Sequence, residues 1–170
     1  EIGVIQPVAA LAALAHQAGA LLVCDAVQGA GRAAMPASAD VIALSAHKIY
    51  GPKGIGALWL RGGLDIPPLI HGGGQEGGLR SGTLSPALCA GFGAAARLMT
   101  EQREADAAHV AALHARARAL FVGWVLNGDA PARYPGNLNL RRDGLDGARL
   151  LSECRDVAFS LGSACASGSG

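Results

Sequence analysis

Apolar and polar positions change their period along the 170-residue chain, and each change marks an element. From Pro7 to Gly19, Ala and Leu recur at helical spacing, behind a proline suited to a first turn and ahead of a glycine able to take a left-handed cap; this predicts a helix. Three short apolar runs follow: Ala20–Cys24, ending in Asp25; Val41–Leu44, ending in Ser45 and His47; and Ile55–Leu60. They lack polar alternation, so they read as buried strands. Such an order implies an α/β fold, with a mainly parallel sheet covered by helices on both faces. In sheets of that kind ligands gather at the carboxyl ends of the strands, where Asp25 and the Ser45–Lys48 group fall.

From Pro67 to Thr83 the composition turns to Gly, Pro and polar residues, which predicts a long loop. Pro86 to about Val125 is Ala-rich, with Leu, Met and Val at three- and four-residue spacing, and predicts one long or broken helix. After a turn over Asn127–Pro135, Asn137–Leu140 reads as a strand, Asp146–Arg155 as a helix and Val157–Leu161 as a strand. These form a second, smaller α/β unit, jointed to the first by the long helix. The ending, Gly162–Gly170, holds only small residues around Cys165 and reads as a mobile loop.

Composition narrows the function. At 51% hydrophobic and 16% charged residues the chain can bury a core. Fourteen Lys plus Arg against thirteen Asp plus Glu leave a net charge of +1 with no basic block, which argues against a nucleic-acid partner. No apolar run reaches the roughly 18 residues of a membrane span. Cys24, Cys89, Cys154 and Cys165 form no Cys-x-x-Cys pair, so neither a zinc ribbon nor a disulfide framework is expected, and a reducing cytoplasm is the default compartment. The chain starts at Glu1 without an initiator Met and reads as a fragment.

Lys48 and Lys53 are the only lysines, so chemistry that needs a primary amine has two candidates. Lys48 follows a strand, adjoins His47 and precedes the Gly51-Pro-Lys-Gly-Ile-Gly56 turn; at a sheet's carboxyl edge its amine suits Schiff-base formation with an aldehyde, although a surface lysine in a turn has the same pattern. Asp25 ends an apolar run and needs a partner there, either a backbone cap or a protonated ring nitrogen. Gln28 is placed to donate to a cofactor oxygen or simply to be solvated. Ser45 and His47 alternate with Ala46, so a persisting strand would project a hydroxyl and an imidazole to one side, fit for a phosphate. Cys165, among Ser and Ala, has the setting of a transferring thiol, whereas Cys24 and Cys89 read as small core residues and Cys154 is ambiguous. His16, His109 and His114 read as solvated helix positions, and His71 opens the glycine-rich loop.

Six segments together resemble the cysteine desulfurases of iron–sulfur cluster and nitrogenase maturation, class V pyridoxal-phosphate (PLP) enzymes of fold type I: Glu1–Pro7, Asp25-Ala-Val-Gln28, Ser45-Ala-His-Lys48 through Gly56, His71-Gly-Gly-Gly-Gln-Glu76, Arg80-Ser-Gly-Thr83 and Gly162-Ser-Ala-Cys165. The resemblance implies that residues 1–100 are part of the PLP-binding large domain, its carboxyl-terminal half, and that 101–170 are part of the small domain. It implies that Lys48 forms the Schiff base, Asp25 pairs with the pyridine nitrogen, Gln28 meets the phenolic oxygen, and Ser45 and His47 bind phosphate. Thr83 would reach the partner's phosphate across a homodimer. Cys165 would take sulfur from L-cysteine as a persulfide, leaving L-alanine, and pass it to an iron–sulfur scaffold or another acceptor protein. Cys165 would also be the residue able to ligate cluster iron transiently. Full-length relatives add an amino-terminal histidine stacked on the cofactor and a carboxyl-terminal arginine for the substrate carboxylate, which these 170 residues lack. Two other readings stand beside this one: a selenocysteine lyase, and a non-catalytic fragment that only docks on a partner.

Overall fold

A computed structural model describes residues 2–162. The chain divides into two compact units, one of Gln6–Ala107 and one that joins the residues through Ile5 to the chain from Ala108 onward. The boundary lies inside the long helix. The first residues group with the second unit because their backbone pairs there: Ile5 N–H donates to Ala132 O and Tyr134 N–H to Gly3 O, both at 2.8 Å, around an antiparallel bridge between Val4 and Arg133.

The first unit begins with helix α1, Val8–Gln17. It closes as a Schellman motif, with Ala20 N–H reaching Ala15 O and Gly19 N–H reaching His16 O, while Gly19 sits at φ +69°. A Cβ at Gly19 would meet nothing within 4 Å, so glycine is needed there for its backbone and not for space. Gly19→Ala is therefore expected to cost about 1 kcal/mol, read as a lowered urea midpoint with an unchanged slope.

Strands β1 (Val23–Asp25), β2 (Val41–Ser45) and β3 (Gly56–Leu60) form one sheet in that order. β1 and β2 run parallel; β2 and β3 run antiparallel. The mainly parallel sheet expected from the sequence is thus a mixed one in this unit. The cause is length: the 46–55 connection is shorter than the dozen or so residues that a parallel crossover requires. Burial also differs from three equally buried strands. Ile42 in central β2 is 3% exposed, whereas Val23 in β1 and Leu58 in β3 are 65% and 51% exposed. The core lies on one face, where Ile42 packs with Ala26 and Ala39 against Val8 of α1, Leu22, Cys24 and Leu44.

Helix α2 runs from Pro86 to Leu120, with proline in its first turn. It stops short of Val125 because Gly123 takes φ +79° and the chain then enters strand β4, Val125–Leu126, which pairs antiparallel with β5, Leu140–Arg141. Helix α3, Gly147–Glu153, is capped by Asp146, whose Oδ1 accepts from Arg149 N–H at 3.1 Å. The strand expected over Val157–Leu161 does not form: no other strand lies beside it among the described residues, and Val157 and Leu161 are 62% and 58% exposed. An apolar run without a pairing neighbour cannot satisfy its backbone as a strand.

Candidate functional site

The register of the sheet builds the site. Asp25 is the parallel partner of Ala43, and Ser45 lies two residues farther along β2. Because side chains alternate across a sheet, Asp25, Ala43 and Ser45 project from the same face, opposite the face on which Ile42 and Leu44 meet α1. Asp25 Oδ1 accepts from Val27 N–H at 3.0 Å, which fixes the carboxylate at the end of β1. Of the two partners that the sequence left open for Asp25, the structure shows the backbone cap, and the side chain stays exposed.

At Ser45 the strand ends and a 3-10 turn, Ala46–Ile49, begins. Ala46 and Ile49, 0% and 5% exposed, anchor the turn; Ala46 N–H donates to Ile55 O and Gly51 N–H returns to Ala46 O. His47 is thus exposed and Lys48 half-buried. The strand does not persist through His47, yet Ser45 Oγ and His47 Nδ1 still meet at 2.9 Å, so a hydroxyl and an imidazole share one spot at the carboxyl end of β2. The turn leaves through Tyr50 at φ +67°, a backbone state that a bulky residue adopts only under constraint. Arg32 lies over the Tyr50 ring at 5.9 Å from its centre. On the return, a Cβ at Gly56 would come within 2.6 Å of Leu44 O, so only glycine lets β3 approach β2 beside Ser45.

Asp40, just before β2, carries a role that the sequence reading passed over. Its carboxylate is fully buried. Oδ2 accepts from Leu22 N–H at 2.7 Å and meets His16 Nε2 at 2.8 Å; Arg61 Nε lies 2.8 Å from Oδ1 as an ion pair without an aligned hydrogen bond. The Leu22 amide, then the His16 contact, hold the carboxyl below its usual range against the opposing effect of burial, with the Arg61 and His16 charges adding to the lowering. His16 is accordingly part of an ion cluster rather than a solvated helix residue. His114 differs in the same way, since its Nδ1–H donates to Pro135 O at 2.9 Å. The available signal for Asp40 was an acid between Ala39 and Val41, because a carboxylate entering an apolar strand must find partners.

Burial, and secondarily the Asp25 carboxylate, push the Cys24 thiol above its ordinary value, which keeps it protonated and a poor nucleophile. Gln28 is exposed in the turn after β1, Thr83 is exposed at the end of the glycine-rich segment, and His71 is exposed at its start. Cys165 lies outside the described residues. The structure therefore brings Asp25, Ser45, His47 and Lys48 to one sheet edge.

A family model described as Aminotransferase class-V matches residues 1–169. The chain belongs to the class-V aminotransferase family. Among curated proteins of this family the mitochondrial cysteine desulfurase of Eremothecium gossypii is 44% identical over 180 residues, covering 99% of this chain and 36% of the relative. The cysteine desulfurase IscS of Rickettsia rickettsii is 42% identical over 182 residues, covering 99% of this chain and 43% of that protein. Among solved structures, DndA from Streptomyces lividans superposes with a TM-score of 0.76 at 35% identity, over 91% of this chain and 46% of DndA. The chain thus spans less than half the length of the relatives it matches. Among the described residues no helix is long and apolar enough to cross a membrane.

Proposed function

We propose that this class-V aminotransferase chain is the lysine- and thiol-bearing part of a PLP-dependent cysteine desulfurase. One observation carries the reading: Asp25 at the end of β1, the bonded Ser45–His47 pair at the end of β2 and Lys48 in the turn that follows all fall at the carboxyl edge of the sheet. That donor set fits PLP, which presents an aldehyde, a ring nitrogen and a phosphate. The names of the relatives support cysteine as the substrate.

When bound, PLP supplies the electron sink that lets the α-carbon of an amino acid lose a proton. Lys48 would hold the cofactor through Nζ and, with that amine freed by the incoming substrate amine, would carry the substrate's α-proton. Asp25, oriented by the Val27 amide, would hold the ring nitrogen and favour its protonated form. Gln28 would donate to the phenolic oxygen. Ser45 and His47 bind phosphate with donors already held near each other, so little ordering remains to be done on binding. Thr83 donates to the phosphate of a second copy, making a homodimer the working assembly. The Cys165 thiolate attacks the substrate sulfur: an S–S bond forms, the C–S bond breaks, and its electron pair stays on carbon, which takes up a proton as alanine is released. The persulfide then passes to a sulfur-acceptor protein such as an iron–sulfur scaffold, in a reducing compartment such as the cytoplasm.

The test is to titrate the protein with PLP, fix the cofactor with borohydride and locate the added mass, and then to supply cysteine and measure sulfide and alanine in equal amounts. Mass on Lys48 with both products formed supports the assignment. Mass on Lys53, or no coloured complex, removes it.

A further inference from the structure

We propose that Gln75 is a positioning residue for Thr83, an inference that rests on the reading of Thr83 as a phosphate contact. The glycine-rich segment is closed at its base by a parallel bridge between Ile70 and Arg80, with Ser81 N–H donating to Ile70 O at 3.0 Å. Within it the chain bends back through a 3-10 turn, Gln75–Gly78, so that residues 74–75 lie beside 81–82. Two side chains stitch these stretches together. Gln75 Oε1 accepts from Gly82 N–H at 3.0 Å, and the hydroxyl of Ser81, which is 4% exposed, accepts from Gly74 N–H at 3.3 Å.

The peptide linking Ser81 to Gly82 is held at both of its polar groups: Gly82 N–H donates to Gln75, and Ser81 C=O accepts from Arg80 Nη1 at 2.8 Å. Gly82 stands at φ +120°, a state open to glycine and rarely to other residues. Glycine could equally populate many other states, and each would send Thr83 in a different direction. Gln75 selects one of them by tying down the amide at which that freedom starts. Thr83 itself stays exposed, so its direction is set from behind, by the loop, and not by packing of its own side chain. The ordering entropy of Thr83 is thereby met on folding rather than on ligand binding.

The experiment is a double-mutant cycle on PLP affinity in the full chain, with amide exchange of the 79–84 segment as a second readout. Gln75→Met keeps the length and removes the acceptor; Gln75→Glu keeps an acceptor oxygen. Gln75→Met is expected to weaken PLP binding about 10-fold and to speed exchange at Gly82, while Gln75→Glu stays within about 2-fold of wild type on both. Thr83→Ala weakens PLP binding to a similar degree without changing exchange at Gly82, and Gln75→Met combined with Thr83→Ala binds no more weakly than Thr83→Ala alone. Multiplying losses in the double variant, or unchanged PLP affinity in Gln75→Met despite faster exchange, would overturn the inference and leave the PLP assignment standing. A wild-type chain that takes no PLP would remove both.

Discussion

Lys48→Ala is expected to lower cysteine turnover by about 10^3-fold or more while leaving the fold as stable as before. The two halves of that expectation come from the same turn. Ala46 and Ile49 bury their side chains and the Ala46–Ile55 and Gly51–Ala46 hydrogen bonds close the backbone, so nothing in the 3-10 turn depends on the lysine side chain for its shape. A half-buried position outside a core or network changes stability by roughly 0.5 kcal/mol or less. The chemistry has no such redundancy. Lys53, the other lysine, lies exposed beyond Tyr50 and Gly51, outside the 3-10 turn that follows β2. Lys48→Arg sharpens the experiment, because it keeps a positive charge but replaces a nucleophilic amine by a guanidinium that stays protonated. Urea midpoints that match wild type, with sulfide formation absent in both variants, fit the assignment. Turnover that survives in Lys48→Ala sinks it.

Asp40→Ala is expected to be the most destabilising single change in the first unit, with a fall in Tm on the order of 10 °C, followed by circular dichroism. The residue is small but central. Its carboxylate joins the start of β1 through Leu22, the end of α1 through His16 and the exit of β3 through Arg61. Removing it leaves the Leu22 amide without its acceptor and opens a cavity where a fully buried side chain had been, while His16 and Arg61, 39% and 53% exposed, lose the anion that ties them to the strands. The site would feel the loss as well. Asp40 N–H and Val41 N–H both donate to Leu22 O, so the carboxylate bond to Leu22 N–H completes the pairing that opens the β1–β2 register, and that register sets Asp25 beside Ala43. A slip of one residue would turn Asp25 to the other face of the sheet.

Acid should act on the same group. The carboxyl of Asp40 is held below its unfolded value, so its contribution to stability is present above the ordinary carboxylate pKa of about 4 and disappears as pH falls through the lower, folded value. Asp40→Asn keeps an acceptor for Leu22 N–H but carries no charge for Arg61. The gap in stability between wild type and Asp40→Asn is therefore expected to be full at neutral pH and to narrow below about pH 4. A gap that stays constant from pH 7 to pH 2.5 would mean that the charge of Asp40 contributes nothing.

The sequence alone determined the elements whose signals are local. Proline and glycine bracket α1, an Ala-rich period defines α2, and Asp146 announces α3, because caps and helical spacing act within a few residues of each other. It also determined which residues belong to the sheet's carboxyl edge, since an apolar run ending in Asp25 or Ser45 marks that end whatever the neighbouring strand does. Tertiary structure decided everything that depends on a partner far along the chain. Whether β3 runs with or against β2, whether Val157–Leu161 becomes a strand, and where His16, Asp40 and Arg61 meet are settled by pairing and burial across separations that no short window of sequence contains. The same holds for the Gln75 amide: only a folded loop shows that it closes on Gly82, because a hydrogen bond formed across seven residues of glycine-rich chain has no periodic trace.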